Sequence, residues 1–218
     1  MRLDVSLLLA SVSLALAGCG GASAPEGASN ETQAQAAGVA PDPEKAMSDR
    51  WTGMFTDPAA IVAAANEFGY KIDGYKPTGN AAFRAAGVEQ TLPDATAPVV
   101  IKTGFTASGG AAERVDTIVF TFDIDVKREP RSKTEAEIGR TPDRIVRGFL
   151  SRFGVGPGDE IRAALNNRQS ASATLHRVAT LSVEAQPLPG AGPKSRRVTV
   201  RIVRQALATP QQNPTARK

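Results

Sequence analysis

The clearest feature of the chain is a run of alternating side chains just past its midpoint. Ile118, Phe120, Phe122, Ile124 and Val126 fall on one side of an extended backbone, and Thr117, Val119, Thr121, Asp123 and Asp125 on the other. A period of two predicts a strand with one face on a core and one facing outward. Val99, Ile101, Thr103 and Phe105 alternate with Val100, Lys102 and Gly104 just before it, and the turn-rich stretch 107–111 joins the two. Ala173, Leu175, Ala179, Leu181 and Val183 keep the same phase across an interruption at Arg177 and predict a third strand. Val198, Val200 and Ile202 predict a fourth, after a Pro/Gly loop over 187–193.

Helical spacing appears elsewhere. Met47, Trp51 and Phe55 lie at i, i+4 and i+8, so a short helical turn introduces the domain, with Gly53 weakening it. Thr56-Asp57-Pro58 has the form of a cap followed by proline in the first turn. Ile61, Val62, Ala65 and Phe68 then mark one face, and Gly69 is the stop. Ser132 and Glu135 have capping-box spacing. Thr141-Pro142-Asp143 opens a helix that turns Ile145, Val146, Phe149 and Phe153 inward, and Pro157-Gly158-Asp159 opens a shorter one burying Ile161, Ala164 and Leu165. Residues 70–98 show no assignable period. The expectation is an α+β domain over 50–208: an antiparallel sheet of about four strands with helices packed on one face. Pro58 to Val62 and Pro142 to Val146 share their spacing, and each helix ends in Phe-Gly, so an αββ-αββ duplication is one form this fold can take.

The two ends read differently. Residues 5–16 are an apolar run of about a dozen residues after a short basic start, shorter than the ~20 needed to cross a bilayer. The run closes on Leu16-Ala17-Gly18-Cys19, and Cys19 is the single cysteine of the chain. This segment resembles the lipobox of bacterial lipoproteins. The resemblance implies cleavage of a signal peptide over 1–18, acyl chains on Cys19, and an anchor in a membrane of the cell envelope facing the periplasm. By similarity to enterobacterial lipoproteins, Gly20 in place of aspartate favours the outer membrane over the inner. Two or more acyl chains bind a bilayer stably where one does not. Residues 19–49, rich in Ala, Gly, Ser, Pro and Gln, have little to bury and are expected to be a flexible stalk. Its reach as a coil of about 30 residues is roughly 30 Å. Residues 209–218 are expected to be a disordered tail.

Composition narrows the chemistry. The chain has 218 residues, 41% hydrophobic and 22% charged, as globular domains do. Its formal net charge is +4, and loss of residues 1–18 removes one arginine and one aspartate and leaves that balance unchanged. With one histidine, His176, and its cysteine committed to lipid, the chain has no material for a histidine-based triad, a multi-histidine metal site or thiol catalysis. No phosphate-binding glycine loop, zinc-protease helix or nucleophile elbow occurs. No cofactor, metal or catalytic residue is therefore assigned. Asp123 and Asp125 share a strand face and could hold a hard cation, but without a third acidic ligand at suitable spacing they read better as a solvated strand end. His176 shares a face with Thr174 and Thr180 as a pH-sensitive contact or a half-exposed surface residue. Lys194, Arg196, Arg197, Arg201 and Arg204 surround the last strand. Arg197 and Arg201, with His176, form the candidate ligand-binding set for an anion, against the alternative of structural pairing with neighbouring carboxylates. Arg140, Arg144, Arg147 and Arg152 are read as a solvated helix face. Phe120 and Phe122 point to the core, so base stacking and a nucleic-acid partner are not expected. The functional expectation is a non-enzymatic accessory or protein-interaction lipoprotein, with the membrane and an envelope protein as partners. Binding of an anionic small molecule or envelope polymer comes second, and an unrecognised hydrolase third.

Overall fold

A computed structural model describes residues 42–79, 81–92 and 96–206. Cys19, the signal segment and the tail over 209–218 lie outside these residues. Helix α1 (Pro43–Phe55) starts within the stretch read as stalk, because Asp42 accepts the Glu44 N–H at 2.9 Å, Pro43 occupies the first turn, and Trp51, Met54 and Phe55 are buried. Helix α2 (Pro58–Asn66) follows at once, capped by Asp57, which accepts the Ala60 N–H at 2.9 Å.

The strands are β1 (Lys76–Gly79), β2 (Ala82–Ala86), β3 (Gln90–Leu92), β4 (Val99–Gly109) and β5 (Thr117–Val126). After helices α3 (Lys133–Ile138), α4 (Thr141–Ser151) and α5 (Asp159–Asn167) come β6 (Ala171–Leu175), β7 (Ala179–Pro187) and β8 (Arg196–Arg204). They form one antiparallel sheet of eight strands in the order β1-β2-β4-β5-β8-β7-β6, with β3 also paired to β4. The expectation of about four strands is therefore corrected to eight, and the αββ-αββ duplication does not describe the order. Three short strands separate α2 from β4, and three helices precede a three-stranded meander.

Each strand that the sequence missed has a physical reason. The stretch 173–183, read as one strand, is two. His176 and Arg177 have φ of 50° and 58°, and the Val178 N–H donates to the Leu175 carbonyl at 3.1 Å, closing a primed turn. Leu175 pairs with Ala179 across a three-residue loop, so both strands turn odd-numbered side chains inward and the alternation runs through the reversal unbroken. Strands β2 and β3 lie end to end along one edge of β4. Between them Gly87 still donates to Phe105 at 2.9 Å, while Val88 turns aside to the Tyr70 carbonyl at 2.8 Å. Strand β2 is short and flanked by the fully exposed β1, and β3 is a three-residue edge strand, so both bury few residues and give little periodic signal.

One face of the sheet is sealed by the helices. Trp51, Phe55 and Ile61 from α1 and α2, Ile145, Val146 and Phe149 from α4, and Ile161 and Leu165 from α5 share a core with Ile101, Phe105, Phe120, Phe122, Leu181 and Val200 of the sheet. Phe120 is its hub, with ring centroids 5.1 Å from Phe105 and 5.2 Å from Phe149, both edge-on. Tyr70 is fully buried against Phe105 and shares a 2.6 Å hydrogen bond with the Thr103 hydroxyl. Burial pushes its phenol up to about 12. The opposite face carries short polar and β-branched side chains in cross-strand rows, Thr106-Val119-Arg201-Ser182 and Gly104-Thr121-Thr199-Glu184 among them.

Candidate functional site

The arginines of β8 are placed by strand register. Arg197 stands opposite Asp123 of β5, and its Nε and Nη2 donate to the two carboxylate oxygens at 2.6 Å each, a bidentate pair. The Asp123 carboxylate raises the Arg197 pKa further above its ordinary value. Asp125 accepts from the Ser195 hydroxyl at 3.1 Å, and that same oxygen receives the Val126 N–H at 2.9 Å. Asp123 and Asp125 therefore each hold a partner on β8 or its loop, and the paired geometry leaves neither arranged for a cation. Lys194 pairs with Glu129, and Arg204 with Asp116 at 3.0 Å. Asp116 is a small junction: it also receives Arg114 Nε at 3.1 Å and the Gly110 N–H at 3.0 Å. Its burial would raise its pKa, but the Gly110, Arg204 and Arg114 donors outweigh that and hold it below the ordinary carboxylate range.

The candidate set His176, Arg197 and Arg201 is not brought together. Arg201 lies four residues from Arg197 on the same strand, roughly 13 Å along it. Its side chain is exposed beside Val119 and Ser182 and makes no ion pair or hydrogen bond among the described residues. His176 leaves the sheet altogether and sits exposed at the tip of the β6–β7 turn. Arg197 pairs with Gln186 of β7, at the strand end remote from that turn.

The arginines of α4 form the more organised site. Arg140, Asp143, Arg144 and Arg147 follow one another at i, i+3, i+4 and i+7 and so share one helix face. Helix α5 supplies Arg162, Asn166 and Asn167 opposite, and with Glu137 these side chains line a cleft of ≈ 570 Å³. Its lining holds four guanidinium groups and two carboxylates, Asp143 and Glu137, and Arg162 also donates to Asp159 at 3.3 Å. Glu137 pairs with Arg140 at 2.9 Å, and Arg144 donates to the Thr141 hydroxyl at 3.4 Å. Asp143 is only 6% exposed. Arg147 Nη2 stands 3.5 Å from its Oδ2 and Arg162 Nε 4.0 Å from its Oδ1, yet Oδ1 is buried without a hydrogen-bond donor. The helical phase of residues 140–147 was visible in the sequence as a solvated face. The contribution of Arg162 from a second helix, which turns that face into a cleft wall, was not.

Among the described residues no group of three or more His, Cys, Asp or Glu side chains is placed to hold a metal ion, and no helix is long and apolar enough to cross a membrane. No protein-family model, curated protein or solved structure matches the chain.

Proposed function

We propose that this chain is a membrane-anchored envelope lipoprotein whose α+β domain is a non-enzymatic accessory or protein-interaction module, held at the periplasmic surface by the lipid on Cys19. The observation that carries this reading is the apolar run ending in Leu16-Ala17-Gly18-Cys19, with no other cysteine in the chain. The domain's geometry supports binding over catalysis. On the open sheet face Asp123 and Asp125 are engaged by Arg197 and Ser195, and His176 sits exposed at a turn. Its test is cross-linking in intact cells followed by purification from membranes, beside a Cys19→Ala variant. The proposal predicts a discrete envelope partner captured by the native chain and lost with the anchor. Turnover of a substrate by the purified protein, abolished by one side-chain change, would overturn it.

A second reading, recognition of an anionic ligand, draws on the α4–α5 cleft. It does not draw on Arg197, Arg201 and His176, because those three residues do not converge, whereas four arginines line one cavity.

A further inference from the structure

We infer that the cleft between α4 and α5 binds a phosphate group that carries its own hydrogen-bond donor, and that it discriminates this group from sulfate through Asp143. The inference deepens the anion-binding reading and is independent of the lipid anchor.

Two observations carry it. The first is the charge and shape of the cleft. Arg140, Arg144, Arg147 and Arg162 line it with two carboxylates, Asp143 and Glu137, while Arg162 is also held by Asp159 at 3.3 Å, and Asn166 adds an amide donor. Guanidinium groups present paired N–H donors that match the oxygens of a tetrahedral oxyanion, and among the described residues the Arg144 guanidinium is held only by the Thr141 hydroxyl at 3.4 Å. Its volume of ≈ 570 Å³ greatly exceeds a single oxyanion, which leaves room for the molecule the phosphate belongs to.

The second observation is Asp143 itself. Its side chain is only 9% exposed, and its Oδ1 has no donor within hydrogen-bonding geometry although two arginines stand nearby. Buried acceptors almost always find a donor, and leaving one unmet is costly. An oxyanion without a proton would place its negative oxygens against this carboxylate and be repelled. Inorganic phosphate keeps at least one P–O–H at neutral pH and can donate it to Oδ1 while its remaining oxygens take the arginines. A phosphate ester with a neighbouring hydroxyl can do the same. Sulfate has no proton to offer at that pH. The carboxylate that looks out of place among arginines thus becomes the selectivity element.

The test titrates the full chain, in neutral detergent at fixed ionic strength, with inorganic phosphate and with sulfate, read by calorimetry. Saturable phosphate binding at least about tenfold tighter than sulfate is expected, the order of one hydrogen bond to a charged group. Arg144→Ala should weaken phosphate at least about tenfold. Asp143→Asn offers an amide donor in place of the acceptor and should bring the two anions to within about twofold of each other. Equal affinities in the native protein, or an unchanged ratio in Asp143→Asn, would overturn the assignment. The native ratio decides the matter even if that variant does not fold. Glycerol 3-phosphate and vesicles of phosphatidylcholine with or without phosphatidic acid then separate the sources. Binding to the former alone assigns a soluble ester, phosphate-competed binding to phosphatidic acid assigns a membrane headgroup, and binding to neither overturns the extended site.

Discussion

The β6–β7 turn gives the most demanding test of the fold, because its two central residues are ones that the geometry disfavours. His176 and Arg177 both have positive φ, 50° and 58°. A side chain with Cβ in the left-handed region costs about 1–2 kcal/mol, and Asn and Gly are the residues that enter that region most readily. Replacing His176 by Asn and Arg177 by Gly should relieve about 1 kcal/mol at each position. Glycine gives back about 0.5–1 kcal/mol through the freedom it adds to the unfolded chain. The net gain is then about 1–1.5 kcal/mol, a Tm rise of roughly 2–6 °C for a domain of this size. Thermal melts and urea titrations of the double variant beside the native protein measure it. A lower Tm would refute the reasoning, since it would mean that these residues are not in a left-handed turn or that His176 makes contacts worth more than the strain. The same variant separates stability from function, because loss of a binding activity at unchanged or raised Tm would return His176 to the list of ligand contacts.

Other predictions follow from single sites. Gly87→Ala places a Cβ 2.7 Å from the Tyr70 Cβ and should destabilise the protein by about 1–3 kcal/mol, measured by urea unfolding. Asp116 has a folded pKa below its unfolded value, so it adds stability above the ordinary carboxylate range that is lost as pH falls through the folded pKa. Asp116→Asn should flatten the acid limb of the stability–pH curve. Tyr70 shifts the alkaline limb. Its phenol stays protonated to about 12 in the folded chain, while the unfolded chain releases the proton near 10, so stability should fall between those values and Tyr70→Phe should remove that slope. Arg197→Ala breaks a bidentate but half-exposed pair and should cost no more than about 1 kcal/mol, leaving the sheet intact by circular dichroism.

How much of this was legible beforehand depended on how one-sided each element's burial is. Strand β5 lies in the middle of the sheet between β4 and β8, with one face on the core, and its alternation from Ile118 to Ile124 states this directly. Helix α2 announces itself through Asp57 and Pro58, and α4 through Pro142 and its inward Ile145, Val146 and Phe149. The margins were illegible for physical reasons. Strand β1 is exposed at every position, so no hydrophobic pattern marks it, and the parity of a three-residue loop made β6 and β7 look continuous. The site was half legible. A helical stripe of Arg140, Asp143, Arg144 and Arg147 can be read by counting residues. That α5 would bring Arg162 and Asn166 against it is a tertiary fact, and so is the burial of Asp143. His176 was misplaced onto the sheet because alternation carries no information about the sign of φ.

Anchoring of the proposed lipoprotein through Cys19 is open to intact-mass analysis of the native protein with membrane fractionation, beside Cys19→Ala. Loss of residues 1–18, an added mass from acyl chains and recovery with membranes are expected, all absent in the variant. A soluble, unacylated protein that keeps a free Cys19 thiol would contradict it.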